Sequence, residues 1–246
     1  MSGGGPMQAS PEQQSLILEL QLLDNEIMQA NTKLKSLPEV EQLLHIDKRI
    51  ITATDEVATV KQEADQISLE LRRGEVDVET VTDRIKKDEA RLASGNATPK
   101  ELEQTQHEIQ TLKKRQSALE EIELEIMVRS EAVTERSKVL STDLTSLETL
   151  KAEINHRLTA ATNEINSVIS AKQKDRGVVA GKIEKALLDL YEKIRASSGI
   201  GAAALIGNKC NGCNLAINAV EMQRIKTLPA DEVLRCEECR RILVRI

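Results

Sequence analysis

From Leu16 onward, apolar residues recur at alternating steps of four and three: Leu16, Leu20, Leu23, Ile27, Ala30, Leu34 and Leu37. A mean spacing of 3.5 residues keeps one stripe of a helix facing a partner helix, so this is the seam of a coiled coil. Pro38 lacks an amide proton and disfavours helical geometry at the residue before it, which predicts a kink near residue 38. The stripe resumes in a shifted phase through Ile46, Ala53, Val60, Ile67, Gly74, Val81, Ile85 and Leu92, and Ser94-Gly95-Asn96-Ala97 reads as a turn at 94–98.

Thr98-Pro99-Lys100-Glu101 reads as a second helix start, with Thr98 as cap, Pro99 at the first helical position and Glu101 closing a capping box. A second stripe follows through Ile109, Leu112, Leu119, Ile126, Val133, Leu140, Leu147, Ile154, Leu158 and Ile165. Carried to Lys172, it makes a helix of roughly 110 Å. If the chain folds back at the turn, the numbers of facing residues must keep a constant total. Val81 with Leu112, Ile67 with Ile126, Val60 with Val133, Ala53 with Leu140 and Ile46 with Leu147 all do, and the total drops by one or two before Pro38. This predicts an antiparallel helical hairpin over residues 12 to about 175. Gln116, Ser130, Ser137 and Lys151 interrupt the second stripe and read as wet edges of a two-stranded seam or as register-fixing polar positions.

Beyond Lys172, the pair Gly177 and Gly181 predicts a bend near 177–181. A shorter amphipathic helix follows, with Val179, Ile183, Leu187, Leu190 and Ile194 on one face, expected to pack near Ile17 or Leu20. The hairpin domain is therefore drawn over 12–195, preceded by a flexible leader at 1–11. From residue 196 the texture changes: a strand within Gly201–Gly207, a helix over Asn218–Lys226 with Asn218 as cap and Glu221 three residues later, and short strands at Val233–Arg235 and Ile242–Ile246. The predicted class is mainly α, a long antiparallel coiled-coil hairpin with a small C-terminal module of short β-strands.

Composition sharpens this reading. The 246 residues include no Trp or Phe and one Tyr, while 30% are charged, which fits long helices burying a narrow stripe and argues against a large catalytic core. A net charge of −6 argues against coating nucleic acid along the whole chain. No segment approaches the roughly 20 apolar residues a membrane span requires, and the Gly- and Ser-rich start has no signal-peptide pattern. A cytoplasmic protein with no membrane partner is expected, in which four cysteines serve as metal ligands rather than disulfides.

Those cysteines form two pairs, Cys210-x-x-Cys213 and Cys236-x-x-Cys239, separated by 22 residues. Two intervening residues let both thiolates of one turn reach a single ion, and two such turns supply a tetrahedral sulfur site, the pattern of one structural zinc per chain. Iron also accepts four sulfurs. A redox pair would be expected at a helix start within a βαβ unit, which the pattern lacks. With every coordination position taken by sulfur, the metal would hold structure, not substrate. About 45 residues without aromatic side chains need such a staple to fold. Residues 196–246 carry seven Lys or Arg against five Asp or Glu, a formal +2, which leaves −8 for the remainder. Lys209, Arg224, Lys226, Arg240, Arg241 and Arg245 are candidate contacts to a partner or to nucleic acid. His45, His107 and His156 have no partner at catalytic spacing, and no phosphate-binding loop is present, so no enzyme and no small-molecule substrate are expected.

The helical hairpin followed by Tyr191-Glu-Lys-Ile-Arg195, the Gly/Ala strand, and Cys236-Glu-Glu-Cys239-Arg-Arg-Ile-Leu resembles the bacterial C4-type zinc-ribbon family associated with flagellar and type III secretion systems. The resemblance implies Cys210, Cys213, Cys236 and Cys239 as zinc ligands and a non-enzymatic cytoplasmic adaptor for protein partners. It also suggests export machinery, an alternative sigma factor or RNA as partner classes. Arg240 departs from the glycine that often follows the last cysteine in that family. Nucleic-acid binding through the ribbon's basic residues is the alternative function, and a thiol oxidoreductase the third.

Overall fold

The computed structural model describes residues 7–95 and 98–246. In order, the elements are α1 (Pro11–Lys35), α2 (Pro38–Ala93), α3 (Pro99–Ala180), α4 (Lys185–Ser198), β1 (Ala202–Ile206), β2 (Lys209–Cys210), α5 (Ala219–Thr227), β3 (Leu234–Arg235) and β4 (Ile242–Arg245). The long helical hairpin and small C-terminal strand region are those the apolar pattern predicts. Among the described residues, no helix is long and apolar enough to cross a membrane.

Local chemistry sets the helix ends. The Ser10 side chain accepts from the Gln13 amide at 3.3 Å, with Pro11 at the first helical position. α1 stops before Leu37 and α2 begins at Pro38, so the proline separates two helices. The capping box forms: the Thr98 amide donates to Glu101 Oε2 at 2.8 Å, and the Glu101 amide donates to Thr98 Oγ1 at 3.4 Å. Gly95 adopts φ 68°; Asn96 and Ala97, part of the expected turn, lie outside the described residues. The long helix ends within the expected 177–181, while the assignment of Val179 and Ile183 to the next helix is corrected. α3 passes through Gly177 and ends at Ala180, so Val179 belongs to α3, and Ile183 lies between α3 and α4. The last turn of α3 stays helical because Val179 is buried in a core and Arg176 is held by Asp24.

The chain divides into two compact units. One is Glu41–Asn155; the other comprises the N-terminal residues to Val40 together with His156–Ile246. Within Glu41–Asn155, α2 and α3 pair antiparallel, with Val60, Ile67, Ile126 and Val133 in one buried cluster and Val81, Ile85 and Ile109 in another. Ion pairs flank this seam: Arg129–Glu70 at 2.6 Å, Arg136–Glu63 at 3.3 Å and Lys151–Asp47 at 2.7 Å. Gln116, at the seam, donates to Thr82 Oγ1 across the hairpin at 3.0 Å.

In the other unit, α1 lies against the end of α3 through Leu37, Ile165 and Ile169. The four strands form one sheet in the order β2-β1-β4-β3, with β1 and β4 parallel and the remaining pairs antiparallel. Strand alternation gives this sheet two buried faces. Ala202, Ile242 and Val244 join Ile17, Leu20, Leu187, Tyr191 and Ile194 in the helical core. Ala203, Leu205 and Leu243 point to the other side, toward α5 and the cysteines. A boundary at residue 196 therefore does not separate two cores, because β1 and β4 are one wall of the core that α1 and α4 build. The described end of the expected leader is also held in place. The Ala9 amide donates to Asp231 O at 2.7 Å, the Val233 amide donates to Met7 O at 2.9 Å, and Ala9 is buried.

Candidate metal centre

Each C-x-x-C turn leads out of a short strand, and the two turns repeat one hydrogen-bond pattern. The Asn214 amide donates to Cys210 O at 2.8 Å, and the Arg240 amide donates to Cys236 O at 2.9 Å. The Cys210 amide donates to Leu215 O at 3.1 Å, and the Cys236 amide to Arg241 O at 3.0 Å. Both turns close through a left-handed residue after the second cysteine, Asn214 at φ 60° and Arg240 at φ 62°. Asparagine tolerates that region. Arginine occupies it at a cost, because glycine is absent where the ribbon geometry calls for it. The turn forms nonetheless.

The four Sγ atoms all lie within 4.8 Å of one another. Cys210 Sγ is 3.8 Å from Cys239 Sγ, and Cys213 Sγ is 3.9 Å from Cys236 Sγ. A tetrahedron with Zn–S bonds of about 2.3 Å has edges of about 3.8 Å, which the two separations match, so the donor set is positioned to bind one zinc ion. Burial pushes the Cys210 thiol up and takes the Cys239 thiol to about 12, while the Leu215 amide, pointing at Cys213 Sγ, holds that thiol below its usual range. Cys210, Cys213, Cys236 and Cys239 would hold the ion as thiolates, its positive charge favouring loss of these protons.

A hydrophobic floor of Ala203, Leu205, Ile225, Leu234 and Leu243 supports Cys210 and Cys236. Asn218 caps α5, accepting from the Glu221 amide at 2.8 Å, which fixes Ile225 on that floor. The turns are also joined directly, since Arg241 Nη1 donates to Gly212 O. A Cβ on Gly212 would lie 2.8 Å from the Ala203 Cβ, so only glycine lets the first turn come this close to the strand.

The six candidate basic contacts do not form one exposed basic face. Arg245 donates from Nη1 to Leu228 O at 3.2 Å and from Nη2 to Pro229, Ala230 and Glu232 carbonyls at 2.6, 3.1 and 3.0 Å, so it clamps the loop after α5. Arg241 is the turn-to-turn strut. Arg224 is paired with Glu221 at 2.6 Å. Lys209, Lys226 and Arg240 are exposed. His45, His107 and His156 are exposed helix residues.

Sequence reasoning missed a buried polar lock beside the ribbon. Asp24, with 2% of its side chain exposed, receives Arg176 Nε at 2.7 Å, Arg195 Nη2 at 3.0 Å and the Tyr191 hydroxyl at 2.7 Å. Gln21 Oε1 accepts from the Gly201 and Ala202 amides at 2.7 and 3.1 Å and from the Tyr191 hydroxyl at 3.2 Å. Glu192 receives both arginines. Burial, then the neighbouring Asp24 carboxylate, pushes the Tyr191 phenol far above its usual range. The Arg176 guanidinium is held charged by its bond to Asp24. Gly201 packs on the ring, and a Cβ there would sit 2.5 Å from Tyr191. The available signal was Gln21 and Asp24 flanking the Leu20 and Leu23 stripe, together with the single aromatic residue of the chain.

The fold and the four-sulfur site define a helical-hairpin protein carrying a C4 zinc ribbon. The CT398-like coiled coil hairpin domain matches residues 20–199, and a C4-type zinc ribbon domain matches residues 209–243. The chain belongs to the CT398-like coiled-coil hairpin family. It is 30% identical over 240 residues to uncharacterized proteins of two Mycobacterium tuberculosis strains, with 98% of each chain covered. A solved Mycobacterium smegmatis structure is 29% identical with a TM-score of 0.82, covering 98% of this chain and all of that one. CT398 from Chlamydia trachomatis, at 19% identity and TM-score 0.60 over 96% of this chain and 98% of its own, shares the fold.

Proposed function

We propose that the protein is a non-enzymatic cytoplasmic adaptor, in which the zinc ribbon and the helical hairpin each offer surface to protein partners. The observation that carries this reading is the closed donor set. Four cysteine sulfurs at tetrahedral spacing leave no coordination position for water or substrate. Around them, the polar groups brought together tie elements to one another: Arg241 joins the turns, Arg245 clamps a loop, and Asp24 locks the helical base. Such a ribbon is a rigid surface. Flagellar or type III export machinery, the partner class the family resemblance suggests, belongs to the same proposal.

The nucleic-acid alternative keeps only Lys209, Lys226 and Arg240 as freely exposed cations of the original six, and the single Tyr, Tyr191, is buried and cannot stack on a base. The test is a crosslinked pull-down of the zinc-loaded full chain from native cytosol, with and without nuclease. A Cys236→Ser chain and a Lys209→Glu/Lys226→Glu/Arg240→Glu chain serve as controls. Protein partners that survive nuclease and are lost with Cys236→Ser support the adaptor. Partners lost on nuclease treatment and with the charge-reversed chain would replace it with nucleic-acid binding.

A further inference from the structure

Arg241 follows the last cysteine closely and is bonded to both cysteine turns. Its carbonyl accepts from the Cys236 amide at 3.0 Å, and its own amide points at Cys239 Sγ. Its Nη1 crosses to the first turn and donates to Gly212 O. That carbonyl belongs to the Gly212–Cys213 peptide, whose N–H is directed at Cys210 Sγ. In a trans peptide the C=O and N–H point in opposite directions, and no cis peptide occurs among the described residues. One peptide unit thus carries the guanidinium at its oxygen end and a ligand sulfur at its amide end.

The surroundings are shaped for this contact. A Cβ on Gly212 would lie 3.1 Å from Arg241 Cδ and 3.2 Å from its Nη1, so the glycine admits the side chain. Arg241 Nε is buried without a hydrogen-bond partner, and among the described residues no carboxylate pairs with the guanidinium. Its positive charge therefore has no acidic side chain to compensate it, whereas four thiolates around a divalent ion keep a net negative charge. Cys210 is fully buried, and a buried anionic sulfur needs donors aimed at it. A guanidinium on the carbonyl polarises the peptide and makes its N–H a stronger donor.

We infer that Arg241 is a positioning residue of the metal centre, which orients and polarises the Gly212–Cys213 peptide toward Cys210 Sγ and so sets how tightly the four cysteines hold their ion. The side chain acts on the ligand and does not touch the metal. Its planar, permanently charged fork suits a carbonyl that must be held in one orientation. The inference rests on the four-sulfur site and does not depend on the adaptor reading.

Zinc affinity of the full chain, measured by competition with a chromophoric chelator, should fall about 10–100-fold in Arg241→Gln, the usual effect of losing a group that orients a ligand. Lost ribbon stability also weakens zinc binding, because metal binding and folding are coupled, so the sulfur itself must be read. In cobalt-loaded protein the sulfur-to-metal charge-transfer band should move to lower energy in Arg241→Gln, since the Cys210 sulfur loses stabilisation. It should return toward the parent position in Arg241→Lys, which keeps a charged donor. It should stay at the parent position in Arg245→Gln, which removes the same charge from the loop clamp. In the parent protein loaded with a spin-active cadmium isotope, the Cys213 amide proton should show scalar coupling to the metal through Cys210 Sγ, a measurement that requires no variant. Unchanged zinc affinity or an unmoved band in Arg241→Gln, no recovery in Arg241→Lys, an equal band shift in Arg245→Gln, or a parent without the coupling would each overturn the inference.

Discussion

Replacing Asp24 with Asn keeps the shape of the side chain and removes the charge at the centre of the buried lock. The native carboxylate, 2% exposed, accepts from Arg176, Arg195 and Tyr191. Asn offers one acceptor oxygen, and its amide turns donors toward groups that are themselves donors. Leaving one partner of a buried ion pair uncompensated costs about 3–5 kcal/mol. The lower end applies here, because the Arg176 and Arg195 side chains retain 21% and 35% exposure and Glu192 still receives both. A loss of about 3 kcal/mol at about 3 °C per kcal/mol lowers Tm by about 10 °C. Tyr191 is the single aromatic residue of the chain and is fully buried in this unit. Its fluorescence, followed through urea denaturation, therefore reports on the lock directly. An Asp24→Asn protein whose tyrosine transition moves by less than about 1 kcal/mol would refute the reasoning, since Asp24 would then be no more than a neutral filler.

Three further outcomes follow from the site and its surroundings. The Tyr191 phenol is raised above its unfolded value of about 10, so the folding stability it contributes is full below pH 10 and is lost as pH rises beyond it; tyrosinate absorbance developing with a midpoint near pH 10 in protein that remains folded would contradict this. Arg240→Gly relieves a left-handed arginine worth about 1–2 kcal/mol, partly offset by about 0.5–1 kcal/mol of added chain entropy, so the ribbon should gain up to about 1.5 kcal/mol, and a drop in its unfolding midpoint would show the arginine side chain to be needed. Metal analysis should give one zinc per chain; chelation or Cys236→Ser should strip hydrogen-exchange protection from β2, α5 and the two cysteine turns while α2 and α3 keep theirs, and full protection of α5 without metal would show that the hydrophobic floor suffices alone.

The parts of this protein legible in its sequence are those whose cause acts over a few residues. A stripe at 3.5-residue spacing makes a coiled-coil helix wherever it occurs, Thr98 and Glu101 cap each other within one turn, Asn218 caps α5, and two residues between cysteines set the bite of a chelating turn. Even the hairpin's register was readable, because one stripe must face the other across a single turn. The remainder depended on residues far apart meeting. Gly177 reads locally as a breaker, yet α3 passes through it because Arg176 is held by Asp24, 152 residues away. Arg241 and Arg245 read as surface cations, and only the fold brings Gly212 and the carbonyls after α5 within their reach. Gln21 finds the Gly201 amide 180 residues away, which no periodicity encodes. Local backbone and capping energies thus specified the elements and the four ligands. The assembly of the ribbon on α1 and α4, and which polar side chains would be enclosed by it, was decided by long-range packing, since a polar group must find a partner once the surrounding core excludes water.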